Sequence, residues 1–306
     1  MFELTTPVAF IIFNRPETTK KVFEEIGKAK PKELYIIADG PRENNTEDDD
    51  LCKKTREVVK KVDWDCVVHK NYSDINLGTK IRPSTGLKWF FSHKDEVIIL
   101  EDDCLPHPSF FEYCQTLLEY HRNNEKVNMI AGSNFISQYS NKNYSYYFSV
   151  FHHFWGWATW KRSWELFDLE MKSWPELKAS KLLYQIVPDN KSAKYWETLF
   201  DEVYKGKIST WDYQWYYSSW KNKNLAVVPS VNLVSNIGFG QQATHTKKLK
   251  NIRANIPLED IQFPLIHPHG INSDVKADMI EAKKIFRFKA KERIIRFLKK
   301  IIRGNK

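Results

Sequence analysis

Short, branched apolar runs alternate with amphipathic stretches through the first 130 residues, and this alternation restricts the fold more than any other feature. Val8 to Phe13 (VAFIIF), Leu34 to Ala38 (LYIIA) and Val97 to Leu100 (VIIL) have the length and composition of strands buried on both faces. Cys66 to His69 and Val127 to Ala131 are weaker strand candidates. Between these runs, Glu17 to Ala29 behind Pro16, Glu47 to Lys61, Ser84 to Phe91 and Pro108 to Arg122 have helical patterns. Strands alternating with helices predict an α/β fold with a mostly parallel central sheet, flanked by helices and joined by right-handed crossovers.

Polar clusters follow three of the apolar runs: Asn14-Arg15, Asp39-Gly40 and Glu101-Asp102-Asp103. Ligands of open α/β sheets gather beyond the carboxyl ends of the strands, so all three clusters are expected at one edge. From Tyr144 to Trp220 the composition changes. Nine of the eleven tryptophans lie between Trp155 and Trp220, which predicts an aromatic subdomain beside the sheet rather than further strand-helix alternation. The expected organisation is 1–135 for the strand-helix region, 136–250 for an aromatic-rich region, 251–275 for a connection, and 276–306 for a basic amphipathic tail.

The acidic triplet is the sharpest chemical signal. Three carboxylates directly after a buried strand repel one another at a cost unless a cation relieves them. Hard oxygen donors suit Mn²⁺ or Mg²⁺, which also bridge phosphate oxygens. The structural alternative is a solvated turn whose acids precede the helix starting near Pro108.

Seven segments in order, PVAFIIFNRP, IIADGPR, NLGTKIR, VIILEDDCLPHPSFF, FWGWATWKRSW, TWDYQW and SNIGFG, resemble GT-A-fold glycosyltransferases. The likeness is to bacterial family-2-like enzymes and to N-acetylglucosaminyltransferase I-type enzymes. It implies transfer of a sugar from a nucleoside-diphosphate donor, with UDP favoured, to a hydroxyl, with inversion and divalent-metal dependence. Asp103 would bind the metal, while Glu101 and Asp102 would hold sugar and ribose hydroxyls. Asp39 would accept from a pyrimidine N–H, and Asn14 and Arg15 would line the nucleotide pocket. Arg82, with Lys80 nearby, would sit close to the diphosphate. His245, after the Gly238-Phe239-Gly240 loop, would complete the metal shell or bind phosphate.

Inverting transfer needs a base for the acceptor hydroxyl, and a carboxylate near the anomeric carbon also stabilises developing positive charge. Relatives carry this group in a Trp-Asp-Asp-Trp segment. Here the sequence reads Trp211-Asp212-Tyr213-Gln214-Trp215, so Asp212 is the candidate base and a helix-capping aspartate is its rival. Trp155-Gly156-Trp157 would form an aromatic wall for a sugar ring. A sugar-nucleotide nucleotidyltransferase is an alternative on a similar sheet, although FNRPETT lacks the glycines of a phosphate loop there. A non-catalytic carbohydrate-binding or scaffold protein of the same fold is another.

The net charge of +9 comes from the tail. Residues 276–306 hold 12 basic and 3 acidic side chains, which leaves 35 of each sign in the preceding 275. Charge confined to one end argues for an anionic membrane surface as partner and against a nucleic-acid groove. Ile294, Leu298 and Ile301 recur at helical spacing among the cations, as in an interfacial helix. No apolar run reaches the roughly 18 residues of a transmembrane helix, and Met1-Phe2-Glu3-Leu4 lacks the build of a signal peptide. The four cysteines lack metal-ligand spacing and are expected as reduced thiols. The expected location is cytoplasmic, at the inner face of the membrane, with a glycan or lipid-linked acceptor in surface-glycan, lipopolysaccharide or capsule synthesis.

Overall fold

The computed structural model describes residues 2–238 and 256–286. Its first part follows the alternation in the sequence: β1 (Val8–Ile12), α1 (Pro16–Ala29), β2 (Glu33–Ala38), α2 (Thr46–Val58), β3 (Val67–Tyr72), α3 (Gly78–Phe90) and β4 (Glu96–Glu101). A short β5 (Cys104–Pro106), α4 (Ser109–His121) and β6 (Val127–Ala131) follow. The aromatic region begins with β7 (Tyr146–Ser149) and β8 (Trp157–Trp160), then gives short helices α5 (Lys161–Trp164), α6 (Trp174–Ala179) and α7 (Leu183–Ile186). It continues with α8 (Asn190–Tyr204), α9 (Asp212–Lys221), β9 (Leu225–Pro229) and β10 (Val234–Asn236). Helix α10 (Val275–Glu281) runs into a π-turn at Ala282–Phe286.

Eight strands form one sheet in the order β3-β2-β1-β4-β8-β6-β9-β7, and β5 pairs with β10 in a separate ribbon. The chain is α/β, with a large central sheet flanked by helices. Strands β3, β2, β1 and β4 are all parallel, as the branched apolar runs predict. The other half is mixed, because β8 runs antiparallel to both β4 and β6, and β7 antiparallel to β9. This corrects the expectation that residues from Tyr144 onward stand beside the sheet. Strands β7, β8 and β9 come from the 136–250 segment, so the sheet draws on both sides of residue 136.

Both sheet faces are buried. Val8, Phe10 and Ile12 of β1 join one core with residues of α1 and α4. Ala9 and Ile11 face a second core with Leu87 and Phe90 of α3 and Trp211 and Trp215. Successive strand side chains point to opposite faces, so a strand covered on both sides reads as unbroken apolar sequence. A third, aromatic cluster joins Trp174, Trp196, Phe200, Tyr217 and Trp220 with Phe286. Helices of the aromatic segment supply most of this cluster. No described helix is long and apolar enough to cross a membrane.

Candidate functional site

The chain builds β1, β2 and β3 outward in one direction, then returns to lay β4 on the other side of β1. Where the direction reverses, ligands of open α/β sheets bind beyond the carboxyl ends of the strands. The residues there are Phe13 to Arg15 and Glu101 to Asp103. The Phe13 backbone N–H donates to Asp102 Oδ2 at 3.0 Å. The Arg15 guanidinium lies 3.4 Å from Asp102 Oδ1 and also forms an ion pair with Asp103 Oδ2. Pro16 starts α1 immediately after Arg15, where its missing N–H costs no helical bond and its fixed φ suits the first turn.

Three carboxyls and one guanidinium leave an excess of acid. Burial, followed by Asp103 and Asp102, pushes Glu101 up to about 8, with Arg15 opposing and the charge of Asp212 adding a smaller upward push. Burial also lifts Asp102 to about 7 against the pull of Arg15. Arg15 is itself held above its ordinary value: burial works against its charge, but the neighbouring carboxylates outweigh it. Asp103 is anchored from the ribbon. Its Oδ1 accepts from Asn236 Nδ2 at 3.1 Å, and its carbonyl accepts the Ile237 N–H at 2.8 Å.

The second wall comes from the start of α9. Trp211 is buried and stacks on Trp157 with centroids 5.6 Å apart. Asp212 Oδ1 accepts from Thr210 Oγ1 and from its neighbour's N–H, Tyr213 N, at 3.0 Å. Its Oδ2 takes no partner among the described residues. One oxygen therefore serves the helix start, as the capping alternative requires, and the other remains available. The push of Asp212 on Glu101 joins this wall to the triplet.

The two tryptophans of the Trp-Gly-Trp segment have different fates. Trp157 pairs with Ile99 in mid-sheet and is fully buried, so it is core and not a sugar wall. Trp155 lies beyond the last pair of that register, is half-buried, and its ring meets Phe135 edge-on at 4.9 Å. Gly156 between them has φ +60, and a Cβ there would lie 2.6 Å from Val234 Cγ2, which only glycine avoids without strain.

Other expected ligand residues turn inward. Asp39 Oδ1 accepts from Gly40 N and Leu77 N, and Oδ2 from Gly78 N and Asn76 Nδ2, at 2.8–3.1 Å. With four donors from its own chain it closes the start of α3. Arg82 is 5% exposed and donates to the carbonyl and side-chain oxygens of Asn71. Lys80 pairs with Glu170 at 3.2 Å. The Asn14 amide donates to Asp48 Oδ1 at 2.7 Å, and Asp48 is also held by Arg42. Asn14 thus stays at the site edge but ties β1 to α2. His245, Phe239 and Gly240 lie outside the described residues, as does the tail from Arg287.

The donor chemistry at the triplet fits a hard divalent cation, because clustered carboxyl oxygens hold more negative charge than Arg15 balances. Among the described residues no three His, Cys, Asp or Glu side chains converge as a complete metal cage.

Sequence reasoning missed Asn236, Asp48 and Asn76. Only the glycines after Asn236 gave a signal, and they pointed to a loop instead of a contact.

No protein-family model matches the chain, and no curated protein matches it in sequence. Among solved structures it is similar to a mannosyltransferase from Pyrobaculum calidifontis in complex with GDP-Man and Mn²⁺, with 15% identity and a TM-score of 0.38. That match covers 54% of this chain and 46% of the other, so the chain spans under half of that enzyme's length. It is also similar to 4-diphosphocytidyl-2C-methyl-D-erythritol synthase from Anaerococcus prevotii, with 11% identity, 54% and 75% covered, and a TM-score of 0.34. A UDP-glucose pyrophosphorylase complexed with UDP-glucose gives 10% identity, 53% and 79% covered, and a TM-score of 0.30.

Proposed function

We propose that the chain transfers a sugar from a nucleoside-diphosphate donor, UDP-linked by preference, to a hydroxyl acceptor. The observation that carries this reading is the acidic triplet at the switch point between β1 and β4, with the half-unpartnered carboxylate of Asp212 acting on it from α9. Asp103 would hold Mn²⁺ or Mg²⁺ with the donor phosphates, and His245 is a candidate further ligand. The ion, when bound, supplies charge neutralisation for the departing diphosphate.

The chain's own residues do the rest. Arg15, which already balances Asp102 and Asp103, offers a cation for phosphate oxygens. Glu101 and Asp102 would accept from sugar hydroxyls. Asp212 takes the proton of the acceptor hydroxyl as its oxygen bonds to the anomeric carbon, and the electrons of the broken C–O bond leave with the diphosphate. Attack opposite the leaving group inverts the anomeric centre. Trp155 at the rim offers a flat apolar face to a sugar ring.

The cationic tail would hold the enzyme on anionic lipid, near a glycan or lipid-linked acceptor for envelope polysaccharide. Vesicle sedimentation with and without residues 287–306 tests that part. The core reading is tested by screening nucleotide sugars for Mn²⁺-stimulated hydrolysis and transfer. UDP binding that ignores Mn²⁺ in both wild type and Asp103→Ala would remove the metal site. Release of pyrophosphate from a nucleoside triphosphate and a sugar phosphate would instead identify a nucleotidyltransferase.

A further inference from the structure

We infer that Asn236 is a positioning residue that fixes the Asp103 carboxylate for a cation, with Gly238 providing the space for it. The inference rests on the proposed function, because it concerns the same carboxylate.

The ribbon of β5 and β10 sets the geometry. Asn236 pairs with Cys104, Ser235 with Leu105 and Val234 with Pro106, so the strand returns to the residue following the triplet. The Asn236 amide then bridges two groups. Its Nδ2 donates to Asp103 Oδ1 at 3.1 Å, and its Oδ1 accepts the Gly238 N–H at 3.0 Å. The backbone donor settles which end of the amide is oxygen, since a flipped amide would set two N–H groups against each other. The remaining end must therefore donate to Asp103. Asn236 is 8% exposed, which limits competition from water.

A neutral donor suits this task. A lysine or arginine at the same place would restrain the carboxylate but also cancel the charge that attracts a cation. An amide restrains it without adding a second positive charge to that of Arg15, which already pairs with the other oxygen, Oδ2.

Gly238 closes the collar. A Cβ built on it would lie 2.7 Å from Asp103 Cβ and 2.8 Å from the carboxyl carbon, well inside van der Waals contact. No positive φ is recorded for Gly238, so the need for glycine here is steric. Any side chain would push the carboxylate off the position set by Asn236. The first glycine of the Gly-Phe-Gly segment is thus explained by a carboxylate, independently of loop motion.

The test uses the full-length protein in the variants Asn236→Ala, Gly238→Ala and Asp103→Ala. Mn²⁺ binding is followed by electron paramagnetic resonance with and without UDP, and UDP binding without metal by calorimetry. Removing a partner that orients a metal ligand typically weakens metal affinity by about 10–100-fold. Asn236→Ala and Gly238→Ala should each show a loss of that size, with metal-free UDP affinity close to wild type and only the few-degree fall in Tm that one lost buried bond or one close contact entails. Unaltered Mn²⁺ affinity in both variants, alongside its loss in Asp103→Ala, overturns the positioning role and spares the functional reading. Parallel losses of Tm, metal-free UDP binding and Mn²⁺ binding overturn it in favour of a purely structural residue. A wild-type protein that binds no Mn²⁺ overturns the functional reading and this inference with it.

Discussion

The Asp39 carboxylate accepts the backbone N–H of Leu77 at 2.8 Å, tying the end of β2 to the first turn of α3. Gly78 N–H binds the other oxygen at 2.9 Å. The first amides of a helix lack intrahelical partners and carry partial positive charge, so a buried carboxylate satisfies them on both counts.

Asp39→Ala should therefore act on stability. Losing a cap costs about 0.5–2 kcal/mol and leaving a buried N–H unpaired about 1–3 kcal/mol, so urea unfolding should report a loss of stability of that order. UDP binding to the remaining folded protein should persist. A folded, fully stable variant that has lost UDP affinity would restore Asp39 to the nucleotide.

Asp212→Asn should separate binding from chemistry. The Asn side-chain oxygen can still accept from Thr210 and Tyr213 N, so the start of α9 should hold. Donor affinity should be near normal, while transfer falls by about 10²–10⁴, the usual worth of a general base. Steady-state kinetics with near-wild-type kcat would move the base elsewhere.

The tryptophans of the Trp-Gly-Trp segment should behave oppositely. Trp157→Ala opens a cavity in mid-sheet and should cost about 3–5 kcal/mol. Trp155→Ala, at the rim, should leave Tm within a few degrees and raise the KM for acceptor or donor. Equal thermal losses in the two variants would contradict their different placement.

The pH dependence of stability should contain a contribution from Asp278. Its Oδ1 accepts from Ser149 Oγ at 2.6 Å, and burial, aided by Glu281 and Asp274, pushes it up to about 7. In the unfolded chain an aspartate titrates near 4. Between those values the folded protein binds the extra proton, so this contribution is full below about pH 4 and is lost as pH rises through about 7. Asp278→Asn, which stays neutral, should flatten the decline. Chemical denaturation at pH 5 and pH 8 should show a smaller difference for the variant than for wild type.

Legibility in the sequence followed burial geometry. Strands β1, β2 and β4 were plain because burial on both faces forces unbroken apolar runs. Strands β7 and β8 were not, since Tyr146 to Ser149 and Trp157 to Trp160 are aromatic stretches that suit a helical core equally well. The triplet and Arg15 were legible because acids and cations after a buried strand must meet at the sheet edge. Asp39 and Arg82 were noticed, but their partners Leu77, Gly78 and Asn71 were hidden. Backbone amides and carbonyls carry no residue-type signal, so spacing cannot show when they fill a side chain.

The insertion of β8 between β4 and β6 has a consequence for the order of assembly. Four parallel strands can associate as soon as the first hundred residues exist, but one flank of β4 then has no neighbour. Its unpaired amides and carbonyls would form an open template for pairing with another chain. The strand that covers this flank is encoded only at Trp157–Trp160, beyond α4 and β6. Fragments ending near residue 135 should accordingly stick to one another, and a nascent chain stays vulnerable until the segment after Gly156 has emerged and threaded into place.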